Sequence, residues 1–454
     1  MFFLFLYSMQ IAFREIICNY FYSYQSKNCL RVFLMKIWTK RTRAKTLYGL
    51  SLLIISFSLS AQNNLTNSNN YDFLLRDSPP SLFTMRQSNT NYLSAYRLYS
   101  RTLDEFIENE KINNIMQLVS VALLFIPITH EEGHRSVLTT NELGGILKPF
   151  INSKGAAYVT GVTDYTLLTL RDGNLPEYIR LHTAGIESDY MLTNRVETML
   201  AFNQEKFKII KWEYLFRKLA IVQYMVSGLF KSDPKIKEED NELERDIVGH
   251  DIYGAARHLF RPSMEFYRYT NYNNLETDEI KLVKRIGYRS FLNLLNPLIL
   301  GKDGFQIKPD IKILAGLGYS LTPFGDHIDE KIWLKINQYN IGLYLRQFQN
   351  HKRWFHGFGV SLTDFTLHHK VIGSVNTHFW MQPENFDFFT SSSFTGGAID
   401  ATIQYLFFSK NSKIGINAIS IDLGVGYKSK GFLPEESMLN EHFGIRLGTS
   451  IWLN

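Results

Sequence analysis

Two stretches, Ile419-Ser-Ile-Asp-Leu-Gly-Val-Gly-Tyr427 and Phe443-Gly-Ile-Arg-Leu-Gly-Thr-Ser-Ile-Trp-Leu453, decide the class of this chain. Most of the odd positions are large and apolar. The positions between them are mostly small or polar: Ser420, Asp422, Gly424 and Gly426 in the first stretch, Gly444, Arg446, Gly448 and Ser450 in the second. A period of two is the repeat of a strand, whose side chains point alternately to opposite faces. The same alternation runs from Ile311 to Ser320 and through Ile332/Leu334/Ile336, Ile341/Leu343/Leu345, Phe358/Val360/Leu362, Val371 to Trp380 and Ala401/Ile403/Tyr405/Phe407. It predicts about eight antiparallel strands of roughly 9 to 13 residues over 305–454.

Upstream of Gly301-Lys-Asp-Gly304 the pattern changes. Tyr92 to Val121, Glu205 to Lys231 and Glu244 to Phe260 mix apolar stripes with Lys, Arg and Glu at helical spacing. The chain therefore reads as an α+β multidomain protein. Residues 62–92, rich in Asn, Ser and Pro, form an exposed lead-in; 93–300 form a mainly helical domain; 305–454 form the β domain. Alternation alone fits a soluble sandwich or a membrane barrel. Strand length beyond the usual ~5–6 residues, Trp333, Trp354, Trp380 and Trp452 near strand ends, and an export leader favour an outer-membrane-type β-barrel. An eight-stranded lumen is filled by side chains, so such a barrel would anchor the chain and not form a wide pore.

Residues 1–61 read as a leader with a signal peptide, whose true start is expected at Met35. A basic segment to Lys45 precedes the apolar run Leu50 to Leu59, and cleavage is expected after Ala61 or Ser60. The leader holds eight of the chain's 49 Lys and Arg but one of its 43 acids, so the formal charge of +6 belongs to it. The remaining chain is nearly neutral, which removes the basic footprint of nucleic-acid binding. Both cysteines, Cys18 and Cys29, lie in the leader, so a metal site in the rest must use His and carboxylate. The expected location is the outer membrane, with its lipid as a partner and the helical domain facing the periplasm or the cell exterior.

One motif carries chemistry. His130-Glu131-Glu132-Gly133-His134 fits H-E-x-x-H, which on a helix sets two imidazoles on one face to bind Zn²⁺. The intervening Glu131 can then take a proton from a water whose pKa the metal has lowered towards ~7. Gly133 would weaken an ordinary helix but suits a closely packed site.

With this motif the sequence resembles the zincin metallopeptidases. The longer metzincin pattern is absent, since Val137 and Thr140 stand where it needs Gly and His. The nearer likeness is gluzincin-type, in which a carboxylate from a later helix completes the site. Leu181-His-Thr-Ala-Gly-Ile-Glu-Ser-Asp-Tyr190 is similar to such a helix, and the resemblance implies Glu187 as third ligand, with Asp189 next. Met191 stands where the family's second motif has Asp. The cluster Asp246 to Tyr253 offers His250 and Asp251 as metal ligands or orienting groups, or as a helix start. His182 reads as a helix histidine.

These readings combine into an exported zinc metallopeptidase anchored at the outer membrane, acting on a peptide or protein. His130, His134 and Glu187 would hold Zn²⁺, with Glu131 as catalytic base. The rival is a non-enzymatic outer-membrane barrel protein, such as an adhesin or an assembly or transport accessory, whose HEEGH is incidental.

Overall fold

The computed structural model describes residues 69–149, 156–233, 238–408 and 415–453, so the leader lies outside the described residues. Helix α1 (Met85–Phe106) starts where the Thr84 side chain accepts from the Gln87 N–H, and α2 (Glu110–Ser120) starts on the Asn109 side chain. These caps satisfy amides that no preceding turn can reach. α2 runs into α3 (Ile126–Thr140) through a five-residue π turn, Val121–Phe125. Pro127 has no N–H to donate, and its ring crowds the carbonyl four residues back; the wider turn accommodates both. The continuous stretch Glu110–Thr140 is long and apolar enough, by length and composition, to cross a membrane.

The helical part continues with α4 (Asp164–Gly173), α5 (Leu175–Ala201), α6 (Phe207–Met225), α7 (Asp251–Phe260) and α8 (Thr277–Ser290). α5 is the central element. Most of its 27 residues are buried, including Arg180, His182, Glu187, Asp189 and Glu197. Buried charge is tolerable only when partnered. Arg180 meets Glu187 at 2.8 Å, and Lys218 and Lys331 meet Glu197 at 2.6 and 2.5 Å. Two apolar clusters join the helices to the sheet: Ile186, Met225, Ile252 and Val283 with Tyr319 and Leu321, and Leu93, Tyr96, Leu200 and Tyr214 with Leu314 and Trp333. The described residues belong to a single unit.

The sheet is one antiparallel ladder of ten strands. In chain order they are β1 (Asn69–Ser78), β4 (Phe305–Lys308), β5 (Ile311–Thr322), β6 (Gly325–Ile336), β7 (Tyr339–Gln349), β8 (Trp354–His368), β9 (Val371–Pro383), β10 (Ser393–Phe408), β11 (Ile416–Lys428) and β12 (His442–Leu453). The short β2 (Ile146–Lys148) and β3 (Tyr158–Thr160) form a separate pair. From β4 to β12 each strand pairs with its neighbours in sequence, and β1 adds beyond β12, with Asn69 opposite Leu453.

This overturns the expected closed barrel of about eight strands. β4 and β1 are the two free edges of the ladder, so the sheet is open. The expected outer-membrane anchoring and the lipid partner fall with the barrel, and with them both the membrane-anchored peptidase and the barrel rival. Period two was a true signal of strands, but closure depends on whether the first and last strands meet, which alternation within a strand does not encode.

The two faces of the sheet follow the alternation. Ile419, Ile421, Leu423 and Val425 are exposed, whereas Ser420 and Asp422 are buried. The small and polar side chains therefore look inward, toward α1 and α5.

Candidate metal centre

The His130 and His134 rings lie one turn apart on α3, with centroids 5.1 Å apart. α3 reaches the central helix through two glycines. A Cβ at Gly133 would strike the Ala184 carbonyl, and one at Gly185 would overlap the His130 ring. Asp251, the first residue of α7, arrives from the other side. Its Oδ2 lies 3.2 Å from His130 Nε2 and 3.3 Å from His134 Nε2. His130, His134 and Asp251 thus form a cluster that can coordinate a divalent metal ion, their ligand atoms all within 4.8 Å of one another.

The remaining ring nitrogens have partners of their own. His130 Nδ1 is 2.8 Å from Asp189 Oδ2, and His134 Nδ1 is 2.6 Å from the Leu181 carbonyl. Both partners are acceptors, so both Nδ1 atoms carry the proton. In the neutral rings this leaves two Nε2 lone pairs aimed at a carboxylate oxygen. Three electron-rich atoms so placed repel one another unless a proton or a cation lies among them, and a metal with carboxylate- and carbonyl-oriented histidines is the familiar solution. Arg217 fixes the orientation in turn, bonding the other oxygen of Asp189, with Thr129 2.8 Å from the same Nη1.

The electrostatics agree. Burial opposes charge on His134, but Asp251 and Glu131 together lift the ring to about 9. His130 is likewise raised, against burial, by Asp189 and Asp251. Burial would raise Asp251, yet the two imidazoles hold it below the usual carboxylate range. Glu131 shows the reverse balance: burial pushes it up to about 8, with His134 and His130 opposing. Both rings therefore favour a positive charge beside Asp251, which a cation can supply in place of a proton.

Other sequence candidates sit nearby or elsewhere. Asp189 orients His130 and is not among the three clustered ligands. Glu187 points away, bonded to Arg180 and accepting from the Glu435 N–H at 2.7 Å. His250 precedes α7, stacked 3.7 Å from Tyr253, with its Nε2 3.2 Å from Ser227 Oγ. His182 is fully buried under Gly254, neither nitrogen hydrogen-bonded, and burial lowers it to about 3. Sequence reading passed over Arg217, the Leu181 carbonyl and Tyr224, whose hydroxyl oxygen accepts from the Asp251 N–H at 3.2 Å. An arginine inside the largely apolar Phe207–Met225 was the one visible sign, since buried charge needs a buried partner.

No family model, curated protein or solved structure matches the chain. The gluzincin-like zinc-peptidase resemblance is corrected accordingly. It rested on HEEGH with a carboxylate from the second motif, and the carboxylate that joins the histidines is Asp251 of α7. A peptide or protein substrate has no support beyond that likeness.

Proposed function

We infer that the chain is a zinc-binding protein whose centre is His130, His134 and Asp251, with Glu131 as the group that takes a proton from water at that centre. One observation carries the reading: two Nε2 atoms, each set by a partner on Nδ1, converge on one oxygen of Asp251. Two imidazoles and one carboxylate form a borderline nitrogen–oxygen set, which suits zinc better than magnesium or calcium, whose sites are built from oxygen. Three protein ligands leave the fourth tetrahedral position open. A bound zinc ion would supply Lewis acidity, lowering the pKa of water in that position towards ~7. The chain's own part is to hold two rings through Asp189 and Leu181, and to offer Glu131 as proton acceptor one residue after His130.

Metal analysis of the purified protein tests this, together with the visible spectrum of the cobalt-substituted form. About one zinc per chain is expected, lost in Asp251→Ala and kept in Glu131→Gln. The cobalt spectrum should change with pH, and Glu131→Gln should move the midpoint of that change. A folded protein that takes up no zinc, or an Asp251→Ala variant that binds it as tightly as the parent, would overturn the centre. A midpoint unmoved in Glu131→Gln would remove Glu131 from its role and leave the ligands standing.

A further inference from the structure

The amide that opens a helix has no carbonyl of a preceding turn to bond, so where it is buried it needs a partner from outside. At the start of α7 that amide belongs to Asp251, the carboxylate of the metal centre. His250, which precedes it, makes no capping bond from its side chain. The partner comes from a different helix. Tyr224, in the last turn of α6, accepts the Asp251 N–H on its hydroxyl oxygen at 3.2 Å.

A tyrosine hydroxyl has a proton to give as well as lone pairs to offer. With its oxygen bonded to the amide, the proton of Tyr224 remains, and the Asp251 carboxylate is its hydrogen-bond partner. One hydroxyl thus holds Asp251 at both backbone and side chain. The phenol ring is braced in turn, its centroid 5.5 Å from that of His130 and 5.2 Å from that of His250.

Spacing along α6 adds a second observation. Arg217 and Tyr224 are seven residues apart, two turns, so they share a face. Arg217 bonds Asp189, which holds His130 Nδ1. Tyr224 bonds Asp251, whose Oδ2 faces Nε2 of the same ring at 3.2 Å. The two acids that bracket one imidazole are therefore gripped from one face of one helix. Packing against His130 and His250 needs only the ring of Tyr224; the grip on Asp251 needs its oxygen.

We propose that Tyr224 is a positioning residue of the metal centre: its hydroxyl fixes the Asp251 carboxylate against the two Nε2 atoms, so that α6 sets the spacing between carboxylate and imidazoles. The inference rests on the zinc reading of the centre and names the group that makes its carboxylate rigid.

Tyr224→Phe keeps the ring and removes only the oxygen. In the full chain, zinc affinity measured against a chelating indicator should fall ~10- to 100-fold, the usual effect of losing a group that orients a metal-binding side chain. The visible bands of the cobalt-substituted form should shift as well, because the carboxylate is no longer fixed. Tyr224→Leu serves as a second hydroxyl-free variant with the same expectation. Tyr253→Phe removes a neighbouring hydroxyl, bonded to the Ser232 carbonyl, and should leave affinity and bands unchanged. A hydroxyl that merely caps α7 would, when lost, lower the thermal midpoint and leave the metal as it was. Parent-like zinc affinity and cobalt bands in Tyr224→Phe would therefore overturn the positioning role whatever the stability of the variant, and so would an equal loss of zinc in Tyr253→Phe. A folded parent chain that takes up no zinc would overturn the centre itself and this inference with it, whereas a zinc-binding parent with an unaffected Tyr224→Phe overturns this inference alone.

Discussion

Each imidazole of the centre works through both of its nitrogens. Because His130 Nδ1 is held by Asp189, which Arg217 in turn holds, the acid orients the ring from outside the three-residue cluster. Asp189→Asn should therefore weaken zinc ~10- to 100-fold, the usual effect of losing such a partner, while the folded spectrum survives. Competition with a chelating indicator measures this, and unchanged affinity would count against the orienting role. A histidine outside the centre contributes to the acid limit of the fold. His327 is buried among Tyr190, Phe348 and Phe432, and burial, aided by Arg346, lowers it to about 3. Its folded value lies below its unfolded one, so between about pH 6.5 and 3 only the unfolded chain takes up the proton. Stability contributed by this site is complete above pH ~6.5 and declines as pH falls through that window. His327→Phe should flatten the decline by on the order of 2 kcal/mol in denaturant titrations at pH 7 and about pH 5; an unchanged slope would refute the assignment.

Helix α3 was legible because its chemistry is local: two histidines at i and i+4 must share a face. The carboxylate of the cluster was less legible for a geometric reason. On α5, Gly185 lies beneath His130 and Asp189 bonds it, two positions one turn apart. Glu187 stands between them in sequence, about 200° around the helix from either, so its side chain leaves on the far side and meets Arg180. Asp251 was visible as a candidate but looked equally like a helix start. It is both, the first residue of α7 and the carboxylate of the cluster. The closeness of α3 to α5 depends on Gly133, whose missing Cβ makes room for the Ala184 carbonyl. Gly133→Ala should raise helix propensity yet lower stability by about 1–3 kcal/mol and reduce zinc uptake, because the helices must separate. Thermal unfolding and metal content read the two effects, and a stabilised, zinc-loaded variant would contradict the packing argument.

At the scale of the whole molecule, the alternating strands place large apolar side chains on the outer face of the sheet. Ile403, Phe407, Ile421, Leu423 and Ile445 are each at least 50 % exposed. A continuous apolar surface of this kind promotes association. The purified chain should self-associate in detergent-free buffer, and Ile421→Lys should shift it toward the monomer in light scattering; a parent chain monomeric at high concentration would refute this. The strands themselves could be read from their period, but the open ladder could not, because pairing of β1 with β12 joins segments nearly a whole chain apart. That pairing has a consequence during synthesis. The segment Asn69–Ser78 is made several hundred residues before its partner His442–Leu453. β1 must therefore wait, its edge unclaimed by β12, until that distant strand has been made, and this long interval is where the nascent chain is most exposed to mispairing and most dependent on chaperones.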